Sequence, residues 1–137
     1  MVANRFYHLE EIFIKCGIRY NRRTAVTENK AKPDFLFPGV AEYHDLAFNK
    51  LRLTMLGVKS TCKDRWRQVL AEADRIDDKH LLTLEAAIST HQTNEMQAKR
   101  LQLVLPRGLH KTYTAEQQTW LMDVAGFTKL VRERQKV

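Results

Sequence analysis

Apolar and polar positions change period along the chain, and the changes mark the elements. Phe6, Leu9, Phe13 and Cys16 recur at helical spacing, which predicts a helix over Phe6–Cys16 with Gly17 as its C-cap. Ile18–Thr27 mixes β-formers with arginines and reads as a strand or an extended arm. Asp34–Phe37 is a short apolar strand between proline and glycine brackets. Leu51, Leu53 and Met55 alternate with Arg52 and Thr54 before an apolar finish, which predicts a strand over Leu51–Lys59 with its far end buried. Ser60 or Thr61 is then a candidate N-cap, and Trp66, Val69, Leu70, Ala73 and Ile76 form one apolar stripe on the helix that follows. His80–Leu84 and Leu101–Leu105 read as strands, with Ser89–Lys99 as a helix between them. Thr114–Met122 and Ala125–Arg134 supply helices in the last third.

Strands and helices thus alternate from Leu51 to Leu105, which implies an α/β layered domain with a mixed sheet and helices packed on it. The 137 residues fit one domain, 1–137, and hydrophobic residues make up 44% of them, enough for a core. No glycine-rich loop follows any strand, so nucleotide-binding folds receive little support. Cys16 and Cys62 are too few for a disulfide framework and form no CxxC pair, so free thiols in a reducing compartment are expected. The N-terminal stretch carries Glu10 and Glu11 where a signal peptide needs an apolar core, and no run approaches the roughly 20 apolar residues that span a bilayer. A soluble, cytoplasmic protein is the expectation. Lys and Arg number 23 against 16 Asp and Glu, a net charge of +7, which favours a polyanionic partner without specifying one.

Three residues carry candidate chemistry. Hydrolysis of a phosphodiester needs a hard cation held by carboxylates, and it gains from a lysine near the phosphate or the attacking water. Asp34 lies on a short strand, Lys59 ends the next long strand, and Glu72 follows on the predicted helix, about three turns in if that helix starts near Thr61. A strand end and a packed helix can bring the three together. Each also has an ordinary explanation: Asp34 as a turn former, Lys59 as a solvated strand end, Glu72 as a surface helix residue. Lys63, Asp64 and Arg65 form a second cluster, at the start of the same helix. Arginine can bond bidentately to guanine and aspartate can accept from cytosine, so the cluster suits C·G pairs in a major groove. The alternative is a surface charge pattern, such as Asp64 with Arg67. Trp66 and Trp120 are expected in the core, Arg22 and Arg23 on a solvated face. His44, His80, His91 and His110 show no metal-binding spacing.

A longer pattern resolves some of these choices. KPDFLFPG, EYHD at Glu42–Asp45, VKSTCKDRWRQVLAEAD at Val58–Asp74, HLLTLE at His80–Glu85, LQLVLP at Leu101–Pro106 and LHKTY at Leu109–Tyr113 together resemble the C-terminal catalytic domain of EcoRII-type restriction enzymes. The likeness runs from about His8 onward. It implies the PD-(D/E)XK, restriction-endonuclease-like fold, in a variant whose last acid sits on the helix after the lysine. It implies that Asp34 and Glu72 bind a metal, Mg²⁺ by its preference for oxygen ligands, that Lys59 is the catalytic lysine, and that Tyr43 neighbours the site. Lys63, Asp64 and Arg65 become base-reading residues for CCWGG or CCNGG sites in double-stranded DNA, with Lys63 also a candidate for catalysis. Cleavage as a homodimer in a restriction-modification setting is the further implication. The likeness stops short of the family's upstream basic helix and of its N-terminal effector domain. The competing readings are a degenerate or non-catalytic basic DNA-binding domain and a repair nuclease of the same fold.

Overall fold

The computed structural model describes residues 2–22 and 33–136, leaving aside the side chains of residues 2–7, 63 and 64. Helix α1 covers Val2–Lys15 and strand β1 is Asn21–Arg22; β2 is Phe35–Phe37 and α2 is Val40–His44. Strand β3 spans Thr54–Lys59 and leads into a 3-10 helix, Lys63–Ala71; β4 is Lys79–Thr83, α3 is Thr90–Ala98 and β5 is Leu101–Val104. Short helix α4, Ala115–Gln118, and α5, Val124–Gln135, complete the chain. The rest of the predicted Ile18–Thr27 arm, Arg23 included, lies outside the described residues.

The sheet is mixed, in the order β1-β2-β3-β4-β5. Strands β1, β2 and β3 pair antiparallel, whereas β3, β4 and β5 run parallel. The parallel half needs crossovers on a face of the sheet. The 3-10 helix connects β3 to β4, and α3 connects β4 to β5.

Strand alternation divides the apolar residues between two layers. Leu36, Met55, Leu81 and Leu103 point toward the crossovers, where Trp66, Val69 and Met96 close the layer. Phe35, Phe37, Leu56, Val58, Leu82 and Val104 point the other way, onto Leu9 and Phe13 of α1 and Phe127 and Val131 of α5. Phe13 meets Phe35 and Phe37 edge-on, with ring centroids 5.2 Å away in each case, an arrangement worth about 0.5–1.5 kcal/mol per pair beyond burial. Gly17 ends α1 at φ +70, as a C-cap glycine should, and the Ile18 amide returns to the Phe13 carbonyl at 3.0 Å.

Three expectations need correction. Leu51 and Arg52 belong to a 3-10 turn, Lys50–Arg52, so β3 starts only at Thr54. Leu51 is largely exposed there, and alternation over so few residues cannot separate a strand from a tight turn. The segment after β3 is a nine-residue 3-10 helix with Cys62 at its N-cap and no side-chain cap, so neither Ser60 nor Thr61 fills that role. Trp120 only packs partly buried against the core that encloses Trp66.

Candidate active site

Asp34 and Lys59 reach one layer by the same alternation. Asp34 precedes Leu36 by two positions, and Lys59 follows Met55 and Gly57 at even spacing, so both share the crossover face. The register pairs Phe35 with Leu56, which sets Asp34 opposite Gly57. The Asp34 carboxylate accepts the Val58 amide through Oδ2 at 2.6 Å, fixing the end of β2 to β3.

Glu72 arrives from above. A 3-10 helix has three residues per turn, so Trp66, Val69 and Glu72 fall in one line facing the sheet. Trp66 and Val69 are buried. Glu72 itself is the C-cap, in extended conformation, with its amide bonded to the Val69 carbonyl at 3.1 Å. It therefore sits at the end of the helix, where the sequence placed it inside an α-helix. Gly57 permits the close approach: a Cβ there would lie 3.1 Å from Cγ2 of Val69.

Oxygen Oε1 of Glu72 is buried and meets no hydrogen-bond donor. Burial pushes the Glu72 carboxyl up to about 7, and the negative charge of Asp34 adds to the rise. The ammonium groups of Lys59 and then Lys79 oppose it. Asp34 and Lys59 thus both act on Glu72, whose carboxyl is partly desolvated at the end of the 3-10 helix. Two carboxylates that repel each other beside an unsatisfied buried oxygen form a donor set that fits a hard divalent cation.

The other predicted residues lie around this centre. Tyr43 is buried on α2, and its hydroxyl accepts the Arg75 amide at 3.2 Å, so it contacts the turn that follows Glu72. The backbone of Lys63 and Asp64 opens the 3-10 helix, but both side chains lie outside the described residues. Arg65 is exposed and folds back, its Nη2 donating to Thr61 Oγ1 at 3.2 Å and to the Thr61 carbonyl at 3.3 Å. Arg67 pairs with Glu95 at 3.0 Å and stacks over Trp66. His44 is exposed, edge-on to Tyr43, and Arg22 is ion-paired with Glu10 at 2.5 Å.

Sequence reasoning missed three residues here. Glu85, just past β4, accepts the Cys62 amide at 2.5 Å and so holds the start of the 3-10 helix. Thr83 supports the same loop, donating to the Ser60 carbonyl at 3.3 Å. Lys79 is buried at the start of β4. The period of two gave a signal for it, since Lys79 shares a face with Leu81, but it stands in a run of charges, Asp77-Asp78-Lys79, that reads as solvated.

Comparison with solved structures defines the class first. Metal-depleted Ecl18kI in complex with uncleaved, modified DNA superposes with a TM-score of 0.77 at 22% identity, covering 92% of this chain and 42% of that one. Metal-depleted Ecl18kI in complex with uncleaved DNA gives a TM-score of 0.75 at 21% identity, with the same coverage. The fold is restriction-endonuclease-like. Within that class, residues 4–128 match the family model described as EcoRII C terminal, and the chain belongs to that family. The type II restriction enzyme EcoRII of Escherichia coli is 48% identical over 120 residues, which is 88% of this chain and 30% of that enzyme. Among the described residues, no helix is long and apolar enough to cross a membrane.

Proposed function

We propose that this chain is the catalytic domain of a type II site-specific deoxyribonuclease. It hydrolyses phosphodiester bonds in double-stranded DNA at a site of the CCWGG or CCNGG kind. The observation that carries the reading is the buried, unpartnered Oε1 of Glu72 in the same field as Asp34 and Lys59. Family membership and the DNA-bound state of the structural relatives support a duplex as partner.

In this reading Asp34 and Glu72 hold the metal, Mg²⁺ by preference, through carboxylate oxygens. When bound, the ion supplies charge shielding for the phosphate and lowers the pKa of water. Lys59, at the end of β3, offers its ammonium to the phosphate as negative charge grows. Asp34, held through Oδ2 by the Val58 amide, is fixed before substrate arrives. Lys63, Asp64 and Arg65 read C·G pairs from the major groove, and Arg65 releases Thr61 to do so. Two copies on a near-palindromic site would place two such clusters symmetrically, which makes a homodimer the working form.

Incubation of plasmid DNA with the protein, in Mg²⁺ or in EDTA, tests the class. Discrete fragments in Mg²⁺ and intact plasmid in EDTA are expected. A smear would favour a structure-specific or repair nuclease, and intact plasmid in both with a retained gel shift would favour a DNA-binding domain that does not cut.

A further inference from the structure

We propose that Arg75 and Lys79 are positioning residues for Glu72: they brace the turn of residues 73–76, which keeps its carboxylate aimed into the site. The proposal rests on Glu72 being the metal-binding acid, and it assigns a function to two side chains that the active-site reading leaves unused. The last hydrogen bond of the 3-10 helix runs from the Glu72 amide to the Val69 carbonyl, so the helix itself does not hold the chain beyond Glu72. The following residue, Ala73, is fully buried at φ 53, in the left-handed region that non-glycine residues avoid. Such a conformation persists only where its surroundings over-determine it.

Two cations supply that constraint. Lys79 is 7% exposed, and its Nζ donates to the Ala73 carbonyl at 3.1 Å and to the Ile76 carbonyl at 2.5 Å. A buried ammonium requires such acceptors, so the amine and the turn fix each other. Arg75 ties the turn to α2 and the loop after it. Its Nη1 donates to the carbonyls of Glu42, Tyr43 and Asp45, its Nη2 donates to the Phe48 carbonyl at 2.9 Å, and its own amide donates to the Tyr43 hydroxyl. The turn is thereby pinned to β4 on one side and to α2 on the other, immediately beyond a carboxylate whose Oε1 meets no donor. Lys79 also adds positive charge to the field of Glu72. An acid placed by its neighbours' backbone, with Oε1 left without a donor, stays available to a ligand.

Mn²⁺ binding to the purified, metal-free protein, followed by electron paramagnetic resonance, tests the bracket. Lys79→Met and Arg75→Gln should each weaken Mn²⁺ binding about tenfold, with far-ultraviolet circular dichroism and metal-free duplex binding unchanged. Lys79→Gln, which keeps one donor, should recover part of the loss if the methionine variant fails to fold. In a Glu72→Gln background, Lys79→Met should cause no further loss. Wild-type Mn²⁺ affinity in both single variants, with Glu72→Gln impaired, would overturn the bracket and leave the metal assignment standing. An equal extra loss in the Glu72→Gln background would also overturn it, because Lys79 would then act through the fold at large. Unchanged Mn²⁺ binding in Glu72→Gln itself would bring down the metal assignment and the bracket together.

Discussion

Two ionisable side chains, half-buried Glu72 and buried His80, set opposite pH trends in this protein. Burial and then Asp34 raise the Glu72 carboxyl from 4.5 to about 7. Between those values the folded chain binds more protons than the unfolded one, so this group's contribution to stability falls as pH rises. His80 is the reverse case. Its ring is buried against Phe127, and burial, then Arg134, lower it from 6.5 to about 4. There the unfolded chain binds more protons, so stability is lost as pH falls through that window. The two trends oppose each other over the shared range, and metal-free wild type should show a shallow dependence. Glu72→Gln should leave only the histidine trend, giving a protein whose melting temperature climbs more steeply from pH 4.5 to 6.5. Denaturant or thermal melts across that range check it, and parallel profiles for the two proteins would contradict the placement of Glu72. Asp34 and Lys59 were legible as candidates because an acid beside a proline and a lysine at a strand end are visible patterns. Lys79 and Arg75 were not, because their work is done on backbone carbonyls that no sequence displays.

At the scale of elements, alternation located the inner strands well. Met55, Leu56 and Val58 divide between the two layers as a period of two requires. The crossover from β3 was harder. Trp66 and Val69 are three apart, a spacing that fits both an α-helix and a 3-10 helix, so the pattern could not fix where Glu72 would fall. Gly57 is what allows this short crossover to lie against the sheet. Gly57→Ala should force Val69 outward and cost about 1–3 kcal/mol, the range for overpacking a filled core. Val69→Ala in the same chain should relieve the clash and recover much of that loss. Chemical denaturation of the three variants measures it. A Gly57→Ala protein as stable as wild type would mean that the helix has slack above β3.

For the whole molecule, the fold and the family were both legible, because KSTCKDRWRQ and the motifs around it span most of the chain. The proposed recognition by Asp64 and Arg65 was legible only as residue types, since no sequence displays the base a side chain would meet. Arg65 in particular bonds Thr61. Asp64→Ala and Arg65→Ala should each weaken binding to a CCWGG-type duplex by about 1–3 kcal/mol, with little effect on a scrambled one. Equal losses on both duplexes in a binding series would make the cluster an electrostatic patch.

The most direct measurement is single-turnover cleavage of a duplex carrying one CCWGG-type site, comparing wild type with Asp34→Asn as Mg²⁺ is raised. The asparagine keeps an acceptor for the Val58 amide and removes the charge, so it separates chemistry from folding. Wild type should cut at the site in proportion to bound Mg²⁺, and Asp34→Asn should be slower by at least about a hundredfold, roughly 3 kcal/mol of lost transition-state stabilisation. Wild-type rates in Asp34→Asn, or cutting that proceeds in EDTA, would contradict a metal held between Asp34 and Glu72.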